Sequence, residues 1–249
     1  MRPAPIAAAA IAGLLSLGCA NGVDPPATAA APPSTRATTS TLATATTTTV
    51  DPTTTTTATT PTSSTVPAVE IALRFDRRTT DEATADFARA AEAILTDPRG
   101  WEQSGFRFTF GPDAPYTVML AEASAVDAAC APYDVQSTYS CQIGPVVALN
   151  ADRWRSATPT WTGSLEDYRS MLVNHEVGHL LGLHHPVDRC PTPGQPAPVM
   201  AQQSKGLEGC APNPWPLDWE LACAARHDEP IAPGYDPSST PLCGPGDVA

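Results

Sequence analysis

Basic residues are scarce in this chain. It carries 14 Lys and Arg against 26 Asp and Glu, a net charge of −12 at neutral pH. Nucleic acid and anionic membrane surfaces both need clustered cations, so neither is expected as a partner. Aromatic residues are few, at 6%, and histidine is rarer still, with 5 among 249 residues. The N-terminal apolar run, Ile6 to Leu17, falls short of the roughly 20 residues that a bilayer-spanning helix needs. None of the 7 cysteines belongs to a Cys-x-x-Cys pair, which argues against a thiolate zinc knuckle and against a thioredoxin-type site.

What is present falls into three segments. Residues 1–18 read as an export signal. The signal closes on Leu-Ser-Leu-Gly-Cys, which resembles a bacterial lipoprotein processing site with Cys19 as the lipidated residue. Ser16 stands where such sites usually carry Leu, so two expectations stay open: a lipid anchor on the outer face of the plasma membrane, or simple cleavage and secretion. Residues 19–67 form a Thr-, Pro- and Ala-rich stalk. With almost no large apolar side chains it cannot offset the entropy of ordering, and it is expected to stay extended. Residues 68–249 remain as one folded unit of ordinary domain size, expected to be monomeric. With Cys19 set aside, six cysteines are left at 130, 141, 190, 210, 223 and 243. An even number in an exported chain points to three disulfides. Neighbour pairing is the expectation here, although six cysteines allow fifteen connectivities.

Along the folded unit, Val69 to Phe75 alternates like a strand, and Thr80 to Leu95 reads as a helix capped by Thr80. Phe106 to Phe110 and Tyr116 to Ala121 are further strands. Thr138 to Ile143 and Val146 to Leu149 form a hairpin through Gly144-Pro145. Ser164 to Leu183 is a long helix, with Ser164 and Asp167 approximating a capping box. It is apolar around most of its circumference, so it should be buried. Asp218 to Ala225 reads as a last helix with Asp218 as cap.

Four of the histidines fall inside Asn174 to His185, on the long helix and just beyond it. His175 and His179 lie four apart and project from one helical face, which lets both imidazoles meet a single metal ion. Glu176 is placed to act as general base on a water there. Gly182 would end the helix in a left-handed conformation, turning the chain so that His185 returns as a third ligand. Three histidine ligands leave one position for water, as a catalytic zinc site requires, and Glu176 has no role in a purely structural site. His184 is read as solvent-facing or supporting, His227 as a surface residue, and Asp188 as a possible hydrogen-bond partner for a ligand imidazole. No arginine is placed by the sequence to hold an oxyanion, which leaves that task mainly to the metal.

His-Glu-x-x-His-x-x-Gly-x-x-His with Met200 downstream resembles the signature of the metzincin metallopeptidases. Asn174 to Pro216 is also similar to an uncharacterised family of exported actinobacterial proteins with a metzincin-like domain. The resemblance implies an α+β fold with a mixed twisted sheet, the active-site helix, a cleft between an upper and a lower part, and Met200 in a Met-turn beneath the metal. It implies an edge strand ahead of the zinc helix that pairs with extended substrate, and by position Val146 to Asn150 is the candidate. No Tyr follows Met200 closely, so a tyrosine ligand is not expected; Gln202 or Gln203 stands there. The function expected is that of a zinc-dependent endopeptidase acting on protein or peptide. The alternatives are a hydrolase of cell-wall cross-bridge peptides and a catalytically silent surface adhesion or scaffold module that keeps zinc for stability.

Overall fold

The computed structural model describes residues 68–226 and 243–245. The signal, Cys19, the stalk and His227 lie outside the described residues.

The chain enters the fold as strand β1 (Val69–Arg77), and helix α1 (Phe87–Leu95) carries it back to β2 (Phe106–Phe110). Strand β3 (Tyr116–Ala121) and helix α2 (Ala123–Cys130) follow. A hairpin of β4 (Cys141–Ile143) and β5 (Val146–Asn150) leads into the short helix α3 (Ala151–Arg155) and then the long helix α4 (Leu165–Leu180). Helix α5 (Asp218–Ala224) comes last. The five strands make one mixed sheet in the order β2-β1-β3-β5-β4. Only β4 runs antiparallel, against β5.

The passage from β2 to β3 takes only five residues although the two are parallel and flank β1. The register explains this. β2 pairs with the first half of β1, ending at Leu73 opposite Phe110, and β3 pairs with the second half, starting at Leu73 opposite Tyr116. The chain needs only to cross β1 at that level.

Strands β3 and β5 at the sheet centre are buried on both faces, as parallel strands under helices usually are. The period-2 alternation sorts their side chains into two cores. Val118, Leu120, Val147 and Leu149 face the main core with Phe87, Leu95, Trp101, Tyr168 and Leu172 from the helices. Met119, Ala121 and Ala148 face a smaller core with Val126, Cys130 and Val135. Helix α4 passes through the middle, with every residue from Ser170 to Gly178 buried.

Three sequence expectations change here. The first helix begins only at Phe87; Glu82–Thr84 is a separate 3₁₀ turn. The Thr79 and Thr84 hydroxyls share a hydrogen bond of 2.6 Å, and Thr84 also donates to the Asp81 carbonyl, so local side-chain bonds compete with a continuous helix. Asp218 lies inside α5 and Leu217 takes the cap position. The third change bears on function: Val146–Asn150 is not an edge strand. It is hydrogen-bonded to β3 on one side and β4 on the other, so the exposed edge nearest α4 belongs to Cys141–Ile143. A hairpin adds its first strand outside its second whenever the second pairs inward, and that ordering is invisible in the sequence pattern.

Other elements agree in kind while their bounds shift: the outer hairpin strand is Cys141–Ile143 rather than starting at Thr138, and the long helix ends at Leu180 rather than Leu183. Ser164 caps α4, its hydroxyl accepting from the Asp167 amide at 3.0 Å. The three disulfides join Cys130 to Cys141, Cys190 to Cys210 and Cys223 to Cys243, the neighbour pairing.

Candidate metal centre

Helix α4 ends at Leu180, one residue after His179. Gly182 adopts φ = +92°, a conformation open to glycine at little cost. The reversal is held by Gly182 N–H donating to the His179 carbonyl and Leu183 N–H to the Gly178 carbonyl, both at 3.0 Å. Two things follow from this turn. The Leu183 carbonyl accepts from His179 Nδ1 at 2.8 Å, and His185 swings back over the helix face. Its Nε2 then lies 3.2 Å from His175 Nε2 and 3.1 Å from His179 Nε2.

The donor set fits a divalent metal. His175 Nδ1 bonds the Val199 carbonyl at 2.8 Å. A carbonyl only accepts, so the Nδ1 of both helical histidines carries the proton and both Nε2 atoms present lone pairs. Lone pairs converging on one point are what a cation satisfies. Tetrahedral ligands on bonds of about 2.0–2.1 Å stand about 3.3–3.4 Å apart, close to the observed separations. All three ligand atoms lie within 4.8 Å of one another. Burial pushes His175 down to about 4 and His179 down to about 3, which keeps both rings neutral as ligands must be.

Glu176 is buried, at 5% exposure. Its carboxylate has no hydrogen-bond partner among the described residues, and burial raises it to about 8. It opens instead on a cavity of about 370 Å³, whose walls also include the three histidines, the β4 residues Cys141 and Gln142, and Arg153.

The floor of the site joins Met200 and Gln203 to residues the sequence reading passed over, Trp101, Asn213 and Glu220. Met200 is 1% exposed and packs under α4 where Gly178 leaves room: a Cβ there would meet the Met200 Sδ at 2.3 Å and Trp101 Cζ2 at 2.9 Å. The Trp101 indole also donates to the Asn174 carbonyl at 3.0 Å. Glu220, fully buried on α5, accepts from the amides of Val199 (3.0 Å), Met200 (2.8 Å) and Leu217 (2.8 Å). Burial pushes this carboxyl up to about 7 although the three amides pull it down. The Gln203 and Asn213 side chains complete the support: Gln203 donates to the Pro198 and Asn213 carbonyls and accepts from the Asn213 amide, and Asn213 donates to the Ala197 carbonyl. A continuous line of contacts thus runs from Glu220 through Val199 to His175.

The family model described as "Protein of unknown function (DUF3152)" matches residues 32–219, three quarters of the chain. The chain belongs to the DUF3152 family. No curated protein matches it. The DUF3152 match takes in all of α4, the three histidines, Glu176, Gly182 and Met200.

Of the residues singled out in this DUF3152 sequence, His175, His179, His185, Glu176, Gly182 and Met200 come together at one place. His184 lines the cavity beside them. Asp188 does not hold a ligand: its carboxylate accepts from the Cys190 amide at 3.0 Å, and backbone carbonyls orient the imidazoles instead. Gln203 is absorbed in the floor. Glu220 stands three residues after Leu217, the spacing at which a carboxylate reaches back to the amide that opens a helix.

Two outcomes test the floor. Glu220→Gln places an NH₂ against amide donors, and should cost about 2 kcal/mol in urea denaturation; an unchanged midpoint would mean that the amides do not depend on the carboxylate. Gly178→Ala gains about 1 kcal/mol of helix propensity but overpacks Met200 and Trp101 by about 1–3 kcal/mol, so a net loss is expected. A stabilised variant would contradict the tight packing.

Proposed function

We propose that this chain is an exported zinc peptidase of the metzincin type, with His175, His179 and His185 holding the ion and Glu176 as the general base. The observation that carries the reading is Glu176 itself. It sits one residue after a ligand, buried, without a hydrogen-bond partner among the described residues, and facing the cavity that opens on the three Nε2 atoms. Burying a carboxylate without a partner is costly, and a cation bound beside it would offset that cost.

Zinc bound there would supply a Lewis acid that acidifies a water and polarises the scissile carbonyl. Glu176, whose affinity for protons is raised by burial, takes the proton of the attacking water and hands it to the departing amine. The Val199 and Leu183 carbonyls keep the ligand rings in one tautomer while this happens. The exposed edge of β4, with Cys141 and Gln142 on the cavity wall, offers unpaired backbone groups to an extended peptide, a route to binding by strand addition. Met200 beneath α4 fits the Met-turn that the motif implies. Three disulfides suit an oxidising compartment, in line with an export signal and an anchored or secreted domain.

The purified full-length chain should contain about one zinc per molecule. Glu176→Ala should keep that zinc and lose about 10²–10⁴-fold in peptide hydrolysis, whereas His179→Ala should lose the metal. Metal content by mass spectrometry, with turnover on an unbiased peptide library, separates these cases. Zinc retained with no turnover by wild type would favour a scaffold that keeps zinc for stability.

A further inference from the structure

The cavity beside the metal centre is lined by two cations that have no ion pair among the described residues. Arg153 on α3 and Lys205, just past the floor loop, both line it. The chain has 26 acidic and 14 basic residues, and some of its arginines find carboxylates. Arg155 touches Asp81, Glu122 and Asp152, and Arg99 pairs with Asp97. Arg153 and Lys205 appear in no ion pair among the described residues. Lys205 instead stands over the Tyr139 ring, 5.1 Å from its centroid.

Arg153 is the more telling of the two. One terminal nitrogen makes a long hydrogen bond of 3.4 Å to the Ala157 carbonyl. Its Nε is fully enclosed and has no partner. A guanidinium carries five donors and is always charged, so one held in a cavity wall with a single weak acceptor is short of anionic partners. Tyr168, Met171 and Leu172, which share the wall, supply apolar surface and no carboxylate. The acids in the lining are Glu176, which has its own role, and Asp134, which already accepts from the Gln136 amide at 2.9 Å.

We infer that this wall is a carboxylate-binding subsite, in which Arg153, assisted by Lys205 at the mouth, receives an acidic group of the substrate close to the bond that is cut. The inference rests on the peptidase reading for its place in the reaction, but not for the binding itself. A carboxylate would give Arg153 the planar two-oxygen acceptor that guanidinium geometry matches. The neutral amide of Asn or Gln would leave the charge uncompensated. The carboxylate has two sources, the side chain of Asp or Glu within a peptide and the free C-terminus of a short one.

The test uses the zinc-loaded full-length chain and a randomised octapeptide library, made once acetylated and amidated and once with a free C-terminal acid. Products are sequenced to locate the cut. In parallel, peptides retained by the Glu176→Ala chain are sequenced as a readout independent of turnover. Acidic residues should exceed their amides by about thirtyfold or more next to the cut and be enriched among the retained peptides. Enrichment confined to the free-acid library would assign the subsite to a C-terminus. Arg153→Met should bring the ratio of Glu to Gln towards one, Lys205→Met should lower it less, and Arg153→Lys should restore part of it. No acidic enrichment in either cut or retained peptides overturns the subsite while leaving the peptidase reading intact. Enrichment among retained peptides without any cleavage keeps the subsite and sinks the peptidase. Circular dichroism of the Arg153 variants confirms that they are folded before either comparison is made.

Discussion

The site depends on one constraint: three imidazole lone pairs are made to face one another. Nothing in an isolated chain favours that arrangement, since uncharged lone pairs repel and buried histidines without partners are costly. It exists because two rings are held from behind and the third is brought back by a turn. Two backbone carbonyls fix His175 and His179 at Nδ1, and the left-handed turn at Gly182 returns His185. The rest of the domain can be understood as what keeps those carbonyls in place.

The Leu183 carbonyl is local, set by the end of α4. The Val199 carbonyl is not. It belongs to a loop that would be free to move without Glu220, Gln203 and Asn213, three buried polar side chains that bond its amides and carbonyls. The last helix, packed far along the chain, therefore acts on a histidine of the fourth. The disulfide from Cys223 to Cys243 ties down that same helix. Buried polar groups give little net stability but a single geometry when all are satisfied, and a metal centre needs a single geometry more than it needs extra stability.

The sequence carried the convergence of His175, His179 and His185, because a helical spacing of four and a glycine turn are local facts. The extents of β2 and β3 were legible for similar reasons. The disulfide pairing, one of fifteen open to six cysteines, agrees with the neighbour expectation without having been dictated by the sequence. The sequence did not carry the order of strands at the sheet edge. Val146–Asn150 and Cys141–Ile143 have the patterns of strands in either order, and only pairing with β3 decides which is inside. Glu220 and Arg153 were equally hidden. Each looks like an ordinary charged residue on a short helix, and its meaning comes from partners gained, or not gained, through the fold. The continuous first helix was misread because Thr79, Asp81 and Thr84 satisfy one another locally.

The central claim is a three-histidine zinc site that keeps a place for water. X-ray absorption at the zinc edge on the purified full-length chain tests it most directly. The account predicts a shell of three imidazole nitrogens and one oxygen at about 2.0–2.1 Å. A sulfur shell at about 2.3 Å, or a fourth protein nitrogen closing the coordination, would contradict it.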